Sequence, residues 1–421
     1  MARPEKILLR AFNVGFGDCF LLSFNYANNV SRHVLIDYGS TALPKGAKPG
    51  HMLRIARKIG ELTNNKLHVV VATHRHRDHI SGFATSTNGK GSGDIIKSYK
   101  PDVVLQPWTE QPDIPVDATG PRAFALAIRN MNSFAGKVHK FASSMTDAQM
   151  RALGYSARER DHLSFIGENN IANLSAIKNL MGMGRMKAKY LFAGAPAGLT
   201  TLLPGVTVDV MGPPTVDQHP EAAKQNPKNL DEYWHLAADN GTGMTNTAKP
   251  HFPEFVATPP LHAKWIAARL AAMQKQSLLS MVRDLDKAMN NTSLILLFRV
   301  GGKSLLFPGD AQWENWQYAL TKKPEWVALL KKVDLYKVGH HGSLNATPKS
   351  LWKAFENKST SKTNANRLTS VMSTSHGVHG ESDDTSVPGE KLVTALEHES
   401  HHHSTETVDP DKLYDEIEIV I

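Results

Sequence analysis

The sequence predicts an α/β fold whose sheets present polar side chains along one edge. Short apolar and β-branched runs recur through the 421 residues and alternate with helical patches, the pattern of strands covered by helices. Repeatedly, such a run stops and ligand-type side chains follow at once. Val69-Val70-Val71 leads into His74-Arg75-His76-Arg77-Asp78-His79, and Ser304 to Phe307 into Pro308-Gly309-Asp310. Val333 to Val338 leads into Gly339-His340-His341-Gly342-Ser343, and Leu368 to Ser373 into a loop with His376 and His379. Loops fixed to a rigid scaffold in this way are where α/β proteins carry chemistry.

Taken in order, Lys6 to Phe12 and Cys19 to Phe24 read as strands joined by the turn Asn13-Val14-Gly15-Phe16-Gly17-Asp18, and His33 to Asp37 as a third. Met52 to Leu62 has the spacing of an amphipathic helix leading into the buried strand at Val69. Thr87 to Ser92 is glycine-rich but lacks the spacing of a phosphate-binding loop. Asp102 to Leu105 is a short strand. From about 110 to 200, helical patches such as Arg122 to Phe134 and Asn173 to Met181 are broken by Pro, Gly and Ser. Val206 to Met211 restores a strand. A second stretch, about 215–290, opens polar and turns helical from about Pro260 to Ala288. Both stretches exceed what a minimal scaffold needs, so residues 1–421 read as a single domain with two insertions that shape substrate access. Asn291 to Arg299 and Ser304 to Phe307 form a hairpin across Gly301-Gly302, and Asp415 to Ile421 closes the chain as a strand. His398 and the run His401 to His403 follow no apolar strand and read as a mobile, weakly metal-binding loop.

Composition narrows the classes. Hydrophobic content of 41% with 21% charged residues belongs to an ordinary globular chain, not a disordered one. No apolar run reaches the roughly 18 residues a membrane span needs. Cys19 is the only cysteine, which excludes an internal disulfide, and MARPEKILLRAF lacks a signal-peptide core. A cytoplasmic protein is the simplest expectation. The formal charge of +8 leans towards an anionic partner, although the basic residues are scattered.

HRHRDH is the most informative stretch. His74 and His76, two residues apart, cannot share a helix face but converge from a turning loop. Asp78 and His79 are adjacent, point elsewhere and suit a second ion. Neutral imidazoles with a carboxylate are what zinc, manganese or iron accept. Arg75 and Arg77 read as outward-pointing surface charge.

This motif matches the HxHxDH signature of the metallo-β-lactamase superfamily. VGFGDCFLLSF, VLIDYGS, NNTSLILLF, LLFPGD and YKVGHHGS further resemble successive motifs of its ComEC-type branch. The resemblance covers most of residues 5–108, 204–213 and 290–380 and leaves out the two insertions. It implies a metallo-β-lactamase αββα four-layer sandwich and two divalent ions, zinc or manganese. Two such ions about 3.5–4 Å apart hold a hydroxide as nucleophile. By that resemblance His74 and His76 bind the first ion, Asp78, His79 and His341 the second, and Asp310 bridges them. Asp18 and Asp37 lie nearby. Asp78, His340 and His379 form the catalytic set, with His340 facing the substrate to donate a proton or a hydrogen bond, and His379 acting as general acid or phosphate ligand. The GH[ST]-like motif that gives many superfamily members a third histidine on the first ion is missing. His219, His235, His251 and His262 follow no strand, and a more open first site favours manganese over zinc. Members of the branch are linked to nuclease or phosphodiesterase chemistry, so the implied substrate is a nucleic acid or nucleotide. Hydrolysis of a lactone, thioester or β-lactam, or a non-catalytic binding role, are the alternatives.

Overall fold

A computed structural model describes residues 3–111, 144–152, 174–215, 218–219, 290–343, 345, 347–378 and 387–421. The first sheet opens with β1 (Lys6–Phe12), β2 (Cys19–Asn25) and β3 (Ser31–Tyr38), all antiparallel. Helix α1 (His51–Thr63) then carries the chain over to β4 (Val69–Val71), parallel to β3. The short α2 (Arg77–Ile80) and α3 (Ser92–Ser98) precede β5 (Val103–Pro107). After α4 (Asp147–Ala152) and α5 (Leu174–Gly182), β6 (Lys189–Leu191) joins β5 in parallel.

The second sheet repeats the plan. Strands β7 (Thr207–Gly212), β8 (Ile295–Val300) and β9 (Lys303–Phe307) are antiparallel. Helices α6 (Trp313–Gln317) and α7 (Pro324–Leu330) lead to β10 (Leu335–Lys337), α8 (Lys349–Ala354) to β11 (Thr369–Met372), and α9 (Glu390–Glu399) to β12 (His401–Ser404). Strands β9 to β12 run parallel. Finally β13 (Tyr414–Val420) returns to pair antiparallel with β1. The result is a seven-stranded mixed sheet, β13-β1-β2-β3-β4-β5-β6, and a six-stranded mixed sheet, β12-β11-β10-β9-β8-β7.

Strand periodicity decides which side chains meet. In β3, Val34 and Ile36 join a cluster that also holds Leu296 and Phe298 of β8 and Leu305 and Phe307 of β9, so this core draws on both sheets. Leu35 faces the other way, against Ile55, Ala56 and Ile59 of α1. On the second sheet Ile295 and Leu297 share a third cluster with Trp316 of α6 and Trp352 of α8. Strands apolar on both faces are what parallel, helix-covered sheets require. Helix α1 stops at Asn64, a left-handed residue whose N–H returns to the Gly60 carbonyl.

The histidine run differs from its expected loop. His401 to His403 lie in β12, in register with Thr369 to Val371 of β11, and the Nδ1 of His402 sits 2.8 Å from the Ser370 hydroxyl. Pairing with a preformed neighbour, not an apolar pattern, makes this a strand. Among the described residues no helix is long and apolar enough to cross a membrane.

Candidate metal centre

The carboxyl ends of the parallel strands converge from both sheets. Asp37 lies near the end of β3, His74 to His79 follow β4, Asp310 follows β9, and His341 follows β10. Close backbone approach makes this possible. A Cβ on Gly39 would stand 2.5 Å from the Asp78 carbonyl carbon, and Gly309, at φ 56°, leaves no room beside Thr73. The Asp18 N–H donates to the Asp78 carbonyl at 2.9 Å, which ties the start of β2 to α2. His340 and His341 both adopt left-handed backbone, at φ 45° and 53°, a conformation that β-substituted residues hold only under surrounding constraint.

Asp78, His79, Asp310 and His341 are all buried and form one group with ligand atoms within 4.8 Å of one another. The Nδ1 of His341 lies 2.9 Å from the Ser373 carbonyl, which can only accept, so this nitrogen carries a proton and Nε2 is left to face the cluster. His79 repeats the arrangement, its Nδ1 donating to Asp37 at 2.8 Å. The two Nε2 atoms face carboxylates. His341 Nε2 is 2.9 Å from an Asp78 oxygen and 3.7 Å from Asp310 Oδ2, and His79 Nε2 is 3.0 Å from Asp310 Oδ2. His79 Nε2, Asp310 Oδ2 and Asp78 Oδ1 make no hydrogen bond although buried. Buried carboxylate oxygens and imidazole nitrogens crowded this closely need positive charge among them, which protons on the rings or a metal cation can supply. Donors each about 2.1 Å from one ion stand roughly 3.0–3.4 Å apart, close to the separations here.

The electrostatics state the same demand. Burial alone would lower His79, but Asp310, Asp37, Asp18 and Asp78 raise it well above the ordinary imidazole range. His341 is raised by Asp310, Asp78 and Asp18, again against burial. Burial likewise opposes the ionisation of Asp78 and Asp310, and in both the neighbouring histidines, with Lys337 at Asp310, hold the carboxyl below its usual range. The pocket calls for positive charge, whether a proton or a metal ion.

His74 and His76 stand beside this group. Their facing nitrogens are 3.0 Å apart, and the His74 ring centroid is 4.2 Å from that of His79. The Thr73 hydroxyl donates to Asp37 at 2.7 Å, so its oxygen accepts the His74 Nδ1–H at 3.2 Å and leaves His74 Nε2 bare. Burial, followed by His79 and His76, keeps His74 neutral, well below its ordinary range.

Asp18 and Asp37, with His79, form a second buried group. Of the two adjacent histidines, His341 turns its ring into the cluster. His340 is half-buried at the rim, its backbone N–H 3.0 Å from Asp310 Oδ1 and its Nδ1 2.7 Å from the Ser343 hydroxyl. His376 is exposed, and its backbone N–H and ring bind Glu406 away from the cluster. His379 lies outside the described residues, as do His235, His251 and His262. His219 is buried against Gln317, also away from the cluster. Arg75 is not surface charge. Its side chain is 16% exposed and two of its contacts to the Glu110 carboxylate are 2.9 and 2.7 Å, because β5 and the turn after it deliver Glu110 beside β4.

Lys337, Thr73 and Ser373 were not expected at the site. Only Lys337 leaves a trace in the sequence, a charge between Tyr336 and Val338 just before Gly339.

Fold and site together define a mixed α/β protein with a buried His/Asp cluster that could hold a metal ion. Neither a protein-family model nor a curated protein matches the chain.

Proposed function

We propose that this chain is a metallo-β-lactamase-fold hydrolase that cleaves phosphodiesters in a nucleic acid or nucleotide in the cytoplasm. The observation that carries metal dependence is the buried meeting of the His79 and His341 Nε2 atoms with the carboxylates of Asp78 and Asp310, all within ligand distance of one centre. The four-layer αββα assignment draws support from the core shared by the two sheets and the helix-bearing clusters on their outer faces. Phosphodiester chemistry rests on the resemblance of HRHRDH, LLFPGD and YKVGHHGS to the ComEC-type branch, and the net charge of +8 agrees with an anionic substrate.

In this reading Asp78, His79, His341 and Asp310 would hold one divalent ion, and His74 and His76 beside them would help to hold another. Such ions supply Lewis acidity and make a water acidic enough to attack at neutral pH. Everything else is done by the chain. Asp37 and the Ser373 carbonyl fix the Nδ1 protons of His79 and His341, so both rings present Nε2 at a set angle. His340, with Nδ1 at the Ser343 hydroxyl and Nε2 3.4 Å from the Asn290 side-chain nitrogen, stands at the rim, where its ring could exchange a proton with a departing oxygen.

One observation favours a second reading. Arg75, one of the two arginines interleaved with the ligands, is engaged by Glu110 and offers no free guanidinium to a phosphate, which suits a lactone or thioester better. A hydrolysis screen separates the two. Metal-loaded protein should cleave bis(p-nitrophenyl) phosphate and at least one of DNA, RNA or cyclic nucleotides. Asp78→Ala should lose at least a hundredfold in rate while staying folded. Lactone or thioester turnover without any phosphodiester cleavage would transfer the assignment to the second reading.

A further inference from the structure

Among the described residues, Lys337 is the one lysine drawn into the centre. It ends β10 with 1% exposure, on the face whose other member, Leu335, belongs to the core between the sheets. A lysine there, unpaired, would be neutral or would unfold its surroundings. Instead its ammonium finds three acceptors. It forms a very short ion pair with Asp18 of the first sheet, lies 3.1 Å from the Gly309 carbonyl, and stands 3.5 Å from Asp310 Oδ1. The Phe20 ring lies 6.0 Å away. An ammonium has three protons, and each has an acceptor.

The consequence falls on Asp310, whose two oxygens have different surroundings. Oδ1 takes the His340 N–H at 3.0 Å and the Lys337 ammonium. Oδ2 has no hydrogen bond and points at His79 Nε2 and His341 Nε2. The carboxylate cannot rotate without breaking the first set of contacts. Asp18, in turn, holds the ammonium on the Oδ1 side.

We propose that Lys337 is a positioning residue of the metal centre. Anchored across the sheet interface by Asp18, it pins Asp310 Oδ1, so that Asp310 would offer an ion one oxygen, Oδ2, in a fixed direction. The inference rests on the reading of this cluster as a metal centre and adds the device that orients its central carboxylate. It also predicts an unusual sign. A buried ammonium beside a cation site repels the cation, so if charge were its only effect, deleting it would tighten metal binding. If Lys337 acts by holding Asp310, deleting it loosens binding.

The test is chelator-competition titration of metal-stripped protein with Zn(II), together with the visible spectrum of the Co(II)-loaded form, for wild type, Lys337→Met and Asp18→Asn/Lys337→Met. The double variant removes both charges, leaves no unpaired buried ion and serves where the single variant does not fold. Either variant should raise the Zn(II) Kd at least tenfold and shift the Co(II) ligand-field bands, because the ligand geometry changes. Unchanged or tighter binding with an unchanged Co(II) spectrum would overturn the positioning role. Failure of wild-type protein to take up either ion would overturn the metal reading itself, a distinct result.

Discussion

At the scale of single residues, the centre is built by what stands behind its ligands. Asp37 accepts the Thr73 N–H and hydroxyl, each at 2.7 Å, and the His79 Nδ1–H at 2.8 Å. One buried carboxylate thus sets the tautomer of His79 directly and that of His74 through the Thr73 hydroxyl. Asp37→Asn keeps the size but replaces one acceptor with an N–H₂ group. If that group faces His79, the imidazole proton must move to Nε2 and block the ligand position. The expected outcome is a metal Kd raised roughly 10–100-fold, in the range found when groups that orient metal-bound histidines are removed. Chelator competition on the purified variant checks it, and an unchanged Kd would mean that Asp37 only packs.

At the scale of elements, the strands that were legible were those whose own side chains are apolar. Lys6–Phe12 appears with the expected bounds, and Cys19–Asn25, Ile295–Val300 and Tyr414–Val420 shift by a few residues at most at either end. Strand β12 was not legible, because its histidines carry no periodic signal and its pairing depends on β11. The same divide runs through the site. His74, His76, Asp78 and His79 are contiguous and announce themselves, whereas Asp310 and His341 needed the family resemblance to join them. Lys337 went unread because its partners are distant in sequence: strand pairing of β9 with β10 brings Asp310, and the packing of two sheets brings Asp18.

Elements also carry a pH dependence away from the centre. His33 in β3, His68 just before β4 and His402 in β12 are each lowered from 6.5 to about 4, first by burial. Arg32 adds to the effect on both His33 and His68, which contact each other through the His33 N–H and His68 Nδ1 at 3.0 Å. Their folded values lie below their unfolded ones, so the folded chain binds fewer protons. The stability they contribute is complete above pH 6.5 and is lost as pH falls towards 4, by about 1.4 kcal/mol per pH unit for each fully coupled group. Urea unfolding of metal-stripped protein should show the midpoint falling steadily from pH 6.5 to 4.5. His33→Asn should flatten part of that slope, since Asn can still hydrogen-bond Ser23. A midpoint independent of pH over that window would show that these imidazoles take up protons without cost.

At the scale of the whole molecule, the two sheets follow one plan, an antiparallel half continued by a parallel half, and neither holds the cluster alone. Asp78 and His79 come from the first sheet, Asp310 and His341 from the second. An ion bound there links the sheets and stabilises the folded chain by mass action. The most direct test of this account is elemental analysis of purified chain, stripped and then reloaded with zinc or manganese, beside Asp310→Ala. Two tightly held divalent ions per wild-type chain, with fewer in the variant, is the predicted result. A folded wild-type chain that retains no ion under any loading would contradict it.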